Sequence, residues 1–325
     1  MQWKYIKGIA LGLAGAMLWG TVIEPRLVDF KEEYAEIPDL PEEWENKRVA
    51  LIADFQVGMW FGNESTVTKI VNRIVKERPA AVFIAGDFVY KPTNEDESDE
   101  VEREDTHDFT KIVDRAVALV RPLAQTQIPV YAVLGNHDYG MGYPDSIKNE
   151  QLATALREKL ESAGVRVLEN EAVPLALPTK KTGENNSNNS AAHADSTVYL
   201  IGIGSRYAGC DKPEIALSQL PANAPRIVLM HNPDSFPAFP SNTAPFALAG
   251  HTHGGQVRIP FTKNWSWMSL FSPEKIHNDG WIANVGQPGN RLYVNRGIGF
   301  SSFPIRINCR PELTVFTLRG GNDVK

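Results

Sequence analysis

The sequence predicts an α/β domain in which a helix-and-strand half leads into a strand-rich half. Three observations carry this. Between Arg48 and Gly164, short apolar runs alternate with amphipathic helical patterns. Beyond Arg166 the runs become short and β-rich. Five of the apolar runs stop abruptly at a residue able to bind a metal ion. Alternation of this kind builds a sheet with helices on its face, and later clustered strands extend or double it.

Taken in order, the chain opens with "MQWKYIKGIALGLAGAMLWGTVIEPR", uncharged from Gly8 to Ile23. Residues 1–25 read as a retained membrane anchor, with Lys7 able to reach the headgroups. A signal cleaved near Ala14–Ala16 and a buried core helix are the rival readings. Lys4, Lys7 and the amino terminus precede the run, and Arg26 and Lys31 follow it. That bias places the folded domain outside the cytoplasm, at an inner or plasma membrane. Residues 26–46, rich in proline and acid, read as a linker, and residues 47–320 as the domain.

Within the domain, "RVALIADF" is a strand. "ESTVTKIVNRIVKERP" is a helix, with Val67, Ile70, Val71, Ile74 and Val75 on one face and Pro79 just beyond its end. "AAVFIAGD" and "VYAVLGNHD" are strands, separated by a helix around "FTKIVDRAVALV". "NEQLATALREKLESAG" is a helix that Gly164 closes. Then come "VYLIGIG", "RIVLMH", "FALAGH", "QVRIP", "LYVN" and "LTVFTL", all read as strands. The polar segment Thr179–Ser196 reads as a long disordered insertion.

The net charge of −6 has a local origin: Glu95–Asp108 holds nine acids against one arginine. That run reads as a solvated loop. There is no basic stripe, so a nucleic-acid partner is not expected. The two cysteines, Cys210 and Cys309, lack CxxC spacing, which excludes a zinc knuckle; a disulfide and two buried thiols both remain open.

The chemistry gathers at strand ends. "ADFQ" presents Asp54 and Gln56, "GD" presents Asp87, "GNHD" presents Asn136, His137 and Asp138, "LMH" presents His231, and "GHTH" presents His251 and His253. The ends of strands in open α/β sheets form the binding crevice. In an extended chain residues i and i+2 face the same side, so Asp54 with Gln56, and His251 with His253, are expected to point together. Mixed nitrogen and oxygen donors suit Mn²⁺, Zn²⁺ or Fe, and Asp87 is the carboxylate placed to bridge two ions.

Together these motifs resemble the calcineurin-like metallophosphoesterase superfamily from Arg48 onward. "LAGHTHGGQVRIP" and "LYVNRGIGFSSFPIRINCRPELTVFTL" are similar to its membrane-associated phosphodiesterase branch. That branch includes secreted Bacillus-type enzymes and a UDP-2,3-diacylglucosamine pyrophosphatase of lipid A synthesis. The resemblance implies a four-layer α-β-β-α sandwich and two divalent ions about 3.5–4 Å apart; Gln56, a harder donor than imidazole, points to Mn²⁺ first, with Zn²⁺ or Fe as alternatives. It implies that Asp54, Asp87 and His253 hold the first metal, and Asp87, Asn136, His231 and His251 the second. His137 would meet the phosphate, Asp138 would orient His137, and a metal-bridging hydroxide would attack a phosphodiester or pyrophosphate, with a lipid-linked ester as the candidate substrate.

One position departs from the superfamily, which has Asp-x-His where this chain has Asp54-Phe55-Gln56. Gln56 either lends its amide oxygen to the first metal or hydrogen-bonds a bound water. A non-catalytic metal-binding or sensor protein on the same scaffold is the alternative of another class. Trp265, Trp267, Met268 and Phe271, just after "GHTH", read either as a lipid contact or as a loop packed on the domain.

Overall fold

The computed structural model describes residues 2–90, 106–177, 197–221, 223–259, 266–270 and 275–321. Most of the acidic run, the 179–196 insertion, Trp265, Phe271 and the side chain of Met268 lie outside the described residues.

Two six-stranded sheets form the centre. The first runs in the order β1 (Asp29–Pro38), β12 (Glu312–Gly321), β2 (Arg48–Ile52), β3 (Ala81–Ile84), β4 (Val130–Ala132), β5 (Val165–Val167). The second runs β10 (Gly280–Ile282), β11 (Leu292–Val294), β9 (Ala247–Ala249), β8 (Arg226–Leu229), β7 (Tyr199–Gly202), β6 (Glu171–Pro174). β2 to β5 are parallel neighbours, as are β7, β8, β9 and β11.

Strand alternation explains the layering. In β2, Ala50 and Ile52 face α2 (Glu64–Glu77), α3 (Thr106–Ala124) and α4 (Glu150–Ser162), where Val67, Ile70, Val120 and Leu156 cover them. Val49 and Leu51 point the other way, into a core between the sheets shared with Phe83, Leu229, Leu248 and Tyr293. The outer face of the second sheet packs on Ala216 of the short helix α5 (Pro213–Leu217) and on Phe236 and Phe239. The order helix, sheet, sheet, helix is the expected one, with a thin fourth layer.

The stretch expected as a linker is structured. β1 pairs in parallel with β12 along its whole ten residues, and Trp44 is 1% exposed in the inter-sheet core. Its charges misled the sequence reading: Lys31, Glu33 and Glu36 sit on an edge strand, where charges and a terminal proline guard against stray pairing. Over its described residues 256–259, "QVRIP" forms no strand; Val257 makes a single bridge to Ile307.

The N-terminal run also differs from expectation. Its α-helix, α1 (Gln2–Leu18), has 17 residues, about 26 Å of rise against an apolar bilayer thickness of about 30 Å. A π-helical turn (Trp19–Ile23) and a 3-10 turn (Glu24–Arg26) follow, and Gly20, Glu24 and Pro25 are buried against the domain. Among the described residues no helix is long and apolar enough to cross a membrane. Cys210 and Cys309 are free thiols, so the open question of a disulfide is answered.

Candidate metal centre

The C-terminal ends of β2, β3 and β4 meet those of β8 and β9, because parallel strands deliver their following loops to one edge. The loops cross between sheets: the His251 N–H donates to Asp54 Oδ1 at 3.0 Å, and His231 Nδ1 lies 2.7 Å from the Ala85 carbonyl. Here the chain leaves extended geometry. Asp54, Gln56, Asp87, His251 and His253 all take positive φ, between +49° and +73°. Left-handed backbone at residues with a Cβ costs about 1–3 kcal/mol each and collects at functional sites. The two i, i+2 pairs therefore share a side through sharp turns, and not through the extended pleat read from sequence.

Glycine lets the loops close. A Cβ at Gly135 would lie 2.1 Å from Asp87 Oδ1, and one at Gly86 2.6 Å from the Gly135 nitrogen. Only a missing side chain permits that approach.

Two donor groups result: Asp54, Asp87 and His253, and Asp87, His231 and His251, each with ligand atoms within 4.8 Å of one another. Asp87 belongs to both. Its Oδ2 lies 2.8 Å from Gln56 Nε2 on one side and 3.3 Å from His231 Nε2 on the other, while Oδ1 accepts the His137 backbone N–H at 2.9 Å. Asn136 joins the second group. Its Nδ2 donates to the Met141 carbonyl at 2.7 Å, which turns Oδ1 toward His231 Nε2 at 3.0 Å. His251 Nδ1 is 3.1 Å from the same nitrogen.

These contacts test whether the residues suit a metal. His231 Nδ1 faces a carbonyl and so carries the hydrogen, which leaves Nε2 as a lone pair among Asn136 Oδ1 and Asp87 Oδ2. Either a proton or a cation must reconcile these acceptors. Burial opposes a charged imidazole, but Asp87 outweighs it and pulls His231 up to about 9. In the first group, Gln56 Nε2 is 2.8 Å from Asp87 Oδ2 and 3.4 Å from His253 Nε2, while Gln56 Oε1 is buried without a hydrogen-bond partner. Turning the amide over sends that oxygen into the cluster and satisfies it as a fourth donor. Both groups fit a divalent ion with mixed nitrogen and oxygen ligands.

The carboxyls are unlike one another. Burial pushes Asp54 up to about 7, with the Asp87 charge adding to it against the pull of His231. Burial also opposes charge on Asp87, yet His231 and His137 hold it well below the usual carboxylate range. Burial, then the charge of Arg306, keeps His253 well below the usual imidazole range.

His137 belongs to neither group. Its ring lies 5.0 Å from that of Tyr90. Asp138 was expected to orient it, but the Asp138 carboxylate is engaged with backbone. Oδ2 accepts the N–H groups of Asp87 at 2.9 Å and Gly135 at 2.8 Å, and Oδ1 that of Val89 at 3.1 Å. Asp138 thus ties the loop after β3 to the loop after β4. Tyr90 and Tyr207, whose ring meets His251 edge-on at 5.1 Å, flank the site. Sequence reading missed both; Tyr90 follows "GDFV" closely enough to have been found, whereas nothing marked Tyr207.

Gln56 gives a direct test of the first group. Gln56→His is expected to shift preference toward Zn²⁺ and Fe²⁺ relative to Mn²⁺, because imidazole binds them better than an amide does. Gln56→Ala should weaken the first ion and spare the second. Metal titrations of the three proteins check this; identical profiles place Gln56 outside the ligand shell.

A family profile, calcineurin-like phosphoesterase, matches residues 47–255. The chain is similar to phosphodiesterase YaeI of Escherichia coli, 29% identical over 92% of this chain and 88% of that protein. It is similar to the uncharacterized metallophosphoesterase YkuE of Bacillus subtilis, 26% identical over 98% of both. It also resembles UDP-2,3-diacylglucosamine pyrophosphatase LpxG of Chlamydia muridarum, 22% identical over 87% of each chain. With the profile matched over residues 47–255 and two metal donor groups in place, the chain belongs to the calcineurin-like phosphoesterase family and is a metal-dependent phosphoric ester hydrolase.

Proposed function

We propose that the protein hydrolyses a phosphodiester or pyrophosphate on a lipid-linked substrate, using two Mn²⁺ ions held by Asp54, Gln56, Asp87 and His253 and by Asp87, Asn136, His231 and His251. The observation that carries this is Asp87, which belongs to both donor groups and whose Oδ2 faces Gln56 Nε2 and His231 Nε2 at once. When bound, the ions would supply Lewis-acid charge to the phosphoryl group. The protein's own part is positional. Asp138 locks the loops that carry Asp87 and Asn136, the Met141 carbonyl aims the Asn136 amide, and the Ala85 carbonyl fixes the His231 tautomer. His137, beside the ligand groups and outside them, is placed to protonate the leaving oxygen or to stabilise its charge.

Two features support the lipid-linked substrate. The names of YaeI and LpxG cover a phosphodiesterase and a diacylated sugar nucleotide pyrophosphatase. And α1 exposes Leu11, Leu13, Met17 and Leu18, a surface suited to a bilayer, with the catalytic domain on the extracytoplasmic side. Protease added to spheroplasts is then expected to cut the domain.

In detergent micelles with Mn²⁺, the purified protein is expected to cleave bis-p-nitrophenyl phosphate slowly and a phosphodiester bearing a diacyl group faster. Equal rates with and without acyl chains would remove the lipid-linked substrate class. Faster cleavage of UDP-2,3-diacylglucosamine than of any simple diester would favour the pyrophosphatase reading, which needs the site on the cytoplasmic side, where nucleotide sugars are made.

A further inference from the structure

The root of α1 is built into the domain beside the first metal's ligands. Gly20 is seated so tightly that a Cβ there would lie 2.9 Å from the side chains of both Ile305 and Ile307, and its carbonyl accepts the Arg306 N–H at 2.8 Å. Glu24, 3% exposed, is divided between two donors: Oε1 accepts the Cys309 N–H and Oε2 the Trp19 indole N–H, each at 2.6 Å. These contacts hold the segment 305–309 from outside.

From inside, the same segment grips the metal loops. The Arg306 guanidinium is fully buried and donates to the carbonyls of Arg296, Gly299 and Cys309. That fixes the turn 296–299, which lies flush on Asp54 and Gln56. A Cβ at Gly297 would stand 2.5 Å from Asp54 Oδ2, and one at Gly299 2.8 Å from Gln56 Cβ. The Gly299 N–H donates to the Asp54 carbonyl at 2.6 Å. Cys309 also donates its thiol to the His253 carbonyl at 3.2 Å. Asp54, Gln56 and His253, the three residues special to the first donor group, are therefore all backed by one strap. Of the residues special to the second group, His231 and Asn136 are held elsewhere, by the carbonyls of Ala85 and Met141, and only the His251 backbone N–H reaches Asp54.

We infer that Glu24 and Arg306 are positioning residues for the first metal site, and that the seating of the N-terminal helix root sets how well that site binds its ion. Neither side chain touches the reacting groups. They act through the 296–309 strap, as outer partners that orient ligands and govern metal affinity. The inference rests on the two-metal reading above.

The test is Mn²⁺ titration of the full chain in detergent micelles, by calorimetry and by the paramagnetic resonance signal of coupled ions. In Glu24→Ala, first-site affinity is expected to fall about tenfold while second-site affinity holds, and the coupled signal should give way to that of a single ion. Glu24→Gln retains an amide oxygen for the Cys309 N–H and should recover most of the lost affinity. First-site affinity in Glu24→Ala equal to that of the wild type would overturn the inference, as would a parallel loss at both sites. If Glu24→Ala does not fold, Gly20→Val, which disturbs only the seat of the helix root, decides between the same outcomes. A wild type that binds fewer than two ions overturns the metal-centre reading itself. A wild type with two ions and an unchanged Glu24→Ala overturns only the role of the helix root.

Discussion

Asp87→Asn is expected to strip both ions from the protein and to lower phosphodiester turnover by at least about 10³-fold. The geometry gives the reason. Asp87 Oδ2 faces the Gln56 side and the His231 side at once, at 2.8 and 3.3 Å. An amide has one oxygen to offer and no negative charge, so it cannot serve both ions. The Lewis-acid charge withdrawn is worth several kcal/mol, and each 1.36 kcal/mol is tenfold in rate. Asparagine is the informative choice because its oxygen can still accept the His137 backbone N–H that Asp87 Oδ1 accepts at 2.9 Å. The loop after β4 should keep its place, so metal loss would report on ligation. Metal analysis of the purified variant checks this; one tightly held ion would end the bridging role.

His137→Ala is expected to behave in the opposite way, retaining both ions and losing roughly 10²–10⁴-fold in turnover. The imidazole lies outside both donor groups. The contact that His137 makes to Asp87 comes from its backbone, which alanine preserves. The loss should shrink when the leaving group is a weak base such as nitrophenolate, because proton donation then matters less. A variant that comes out metal-free, or one with wild-type rate on a poor leaving group, contradicts the assignment.

The centre was legible in the sequence because its chemistry sits where strands stop. "ADFQ", "GD", "GNHD", "LMH" and "GHTH" each follow a buried run, and the parallel strands bring these ends together at one edge. What could not be read was how the loops turn. The positive φ values at Asp54, Gln56, Asp87, His251 and His253 are fixed by contacts between loops far apart in sequence, such as the His251 N–H with Asp54. The same is true of Asp138, whose bonds reach Asp87 and Val89 across about 50 residues of chain, a span set by the fold.

At the N-terminal end, composition hid two features of the structure. β1 carries five charged residues, Asp29, Lys31, Glu32, Glu33 and Glu36, on an edge strand, and composition alone resembles a linker. The apolar run before it was read as one uniform anchor, yet Gly20 marks where the exposed stretch Leu11–Leu18 gives way to the seated root. A glycine whose purpose is close approach to Ile305 and Ile307 looks, in sequence, like any glycine in an apolar segment. Glu24 had the appearance of a flanking charge and is instead a buried acceptor for Cys309 and Trp19.

Anomalous diffraction from crystals grown with Mn²⁺ decides whether Asp87 bridges two ions. Two peaks are expected about 3.5–4 Å apart, one ligated by Asp54, Asp87, His253 and the Gln56 amide oxygen, the other by Asp87, Asn136, His231 and His251. A single peak, or two peaks that do not share Asp87, would contradict the bridge.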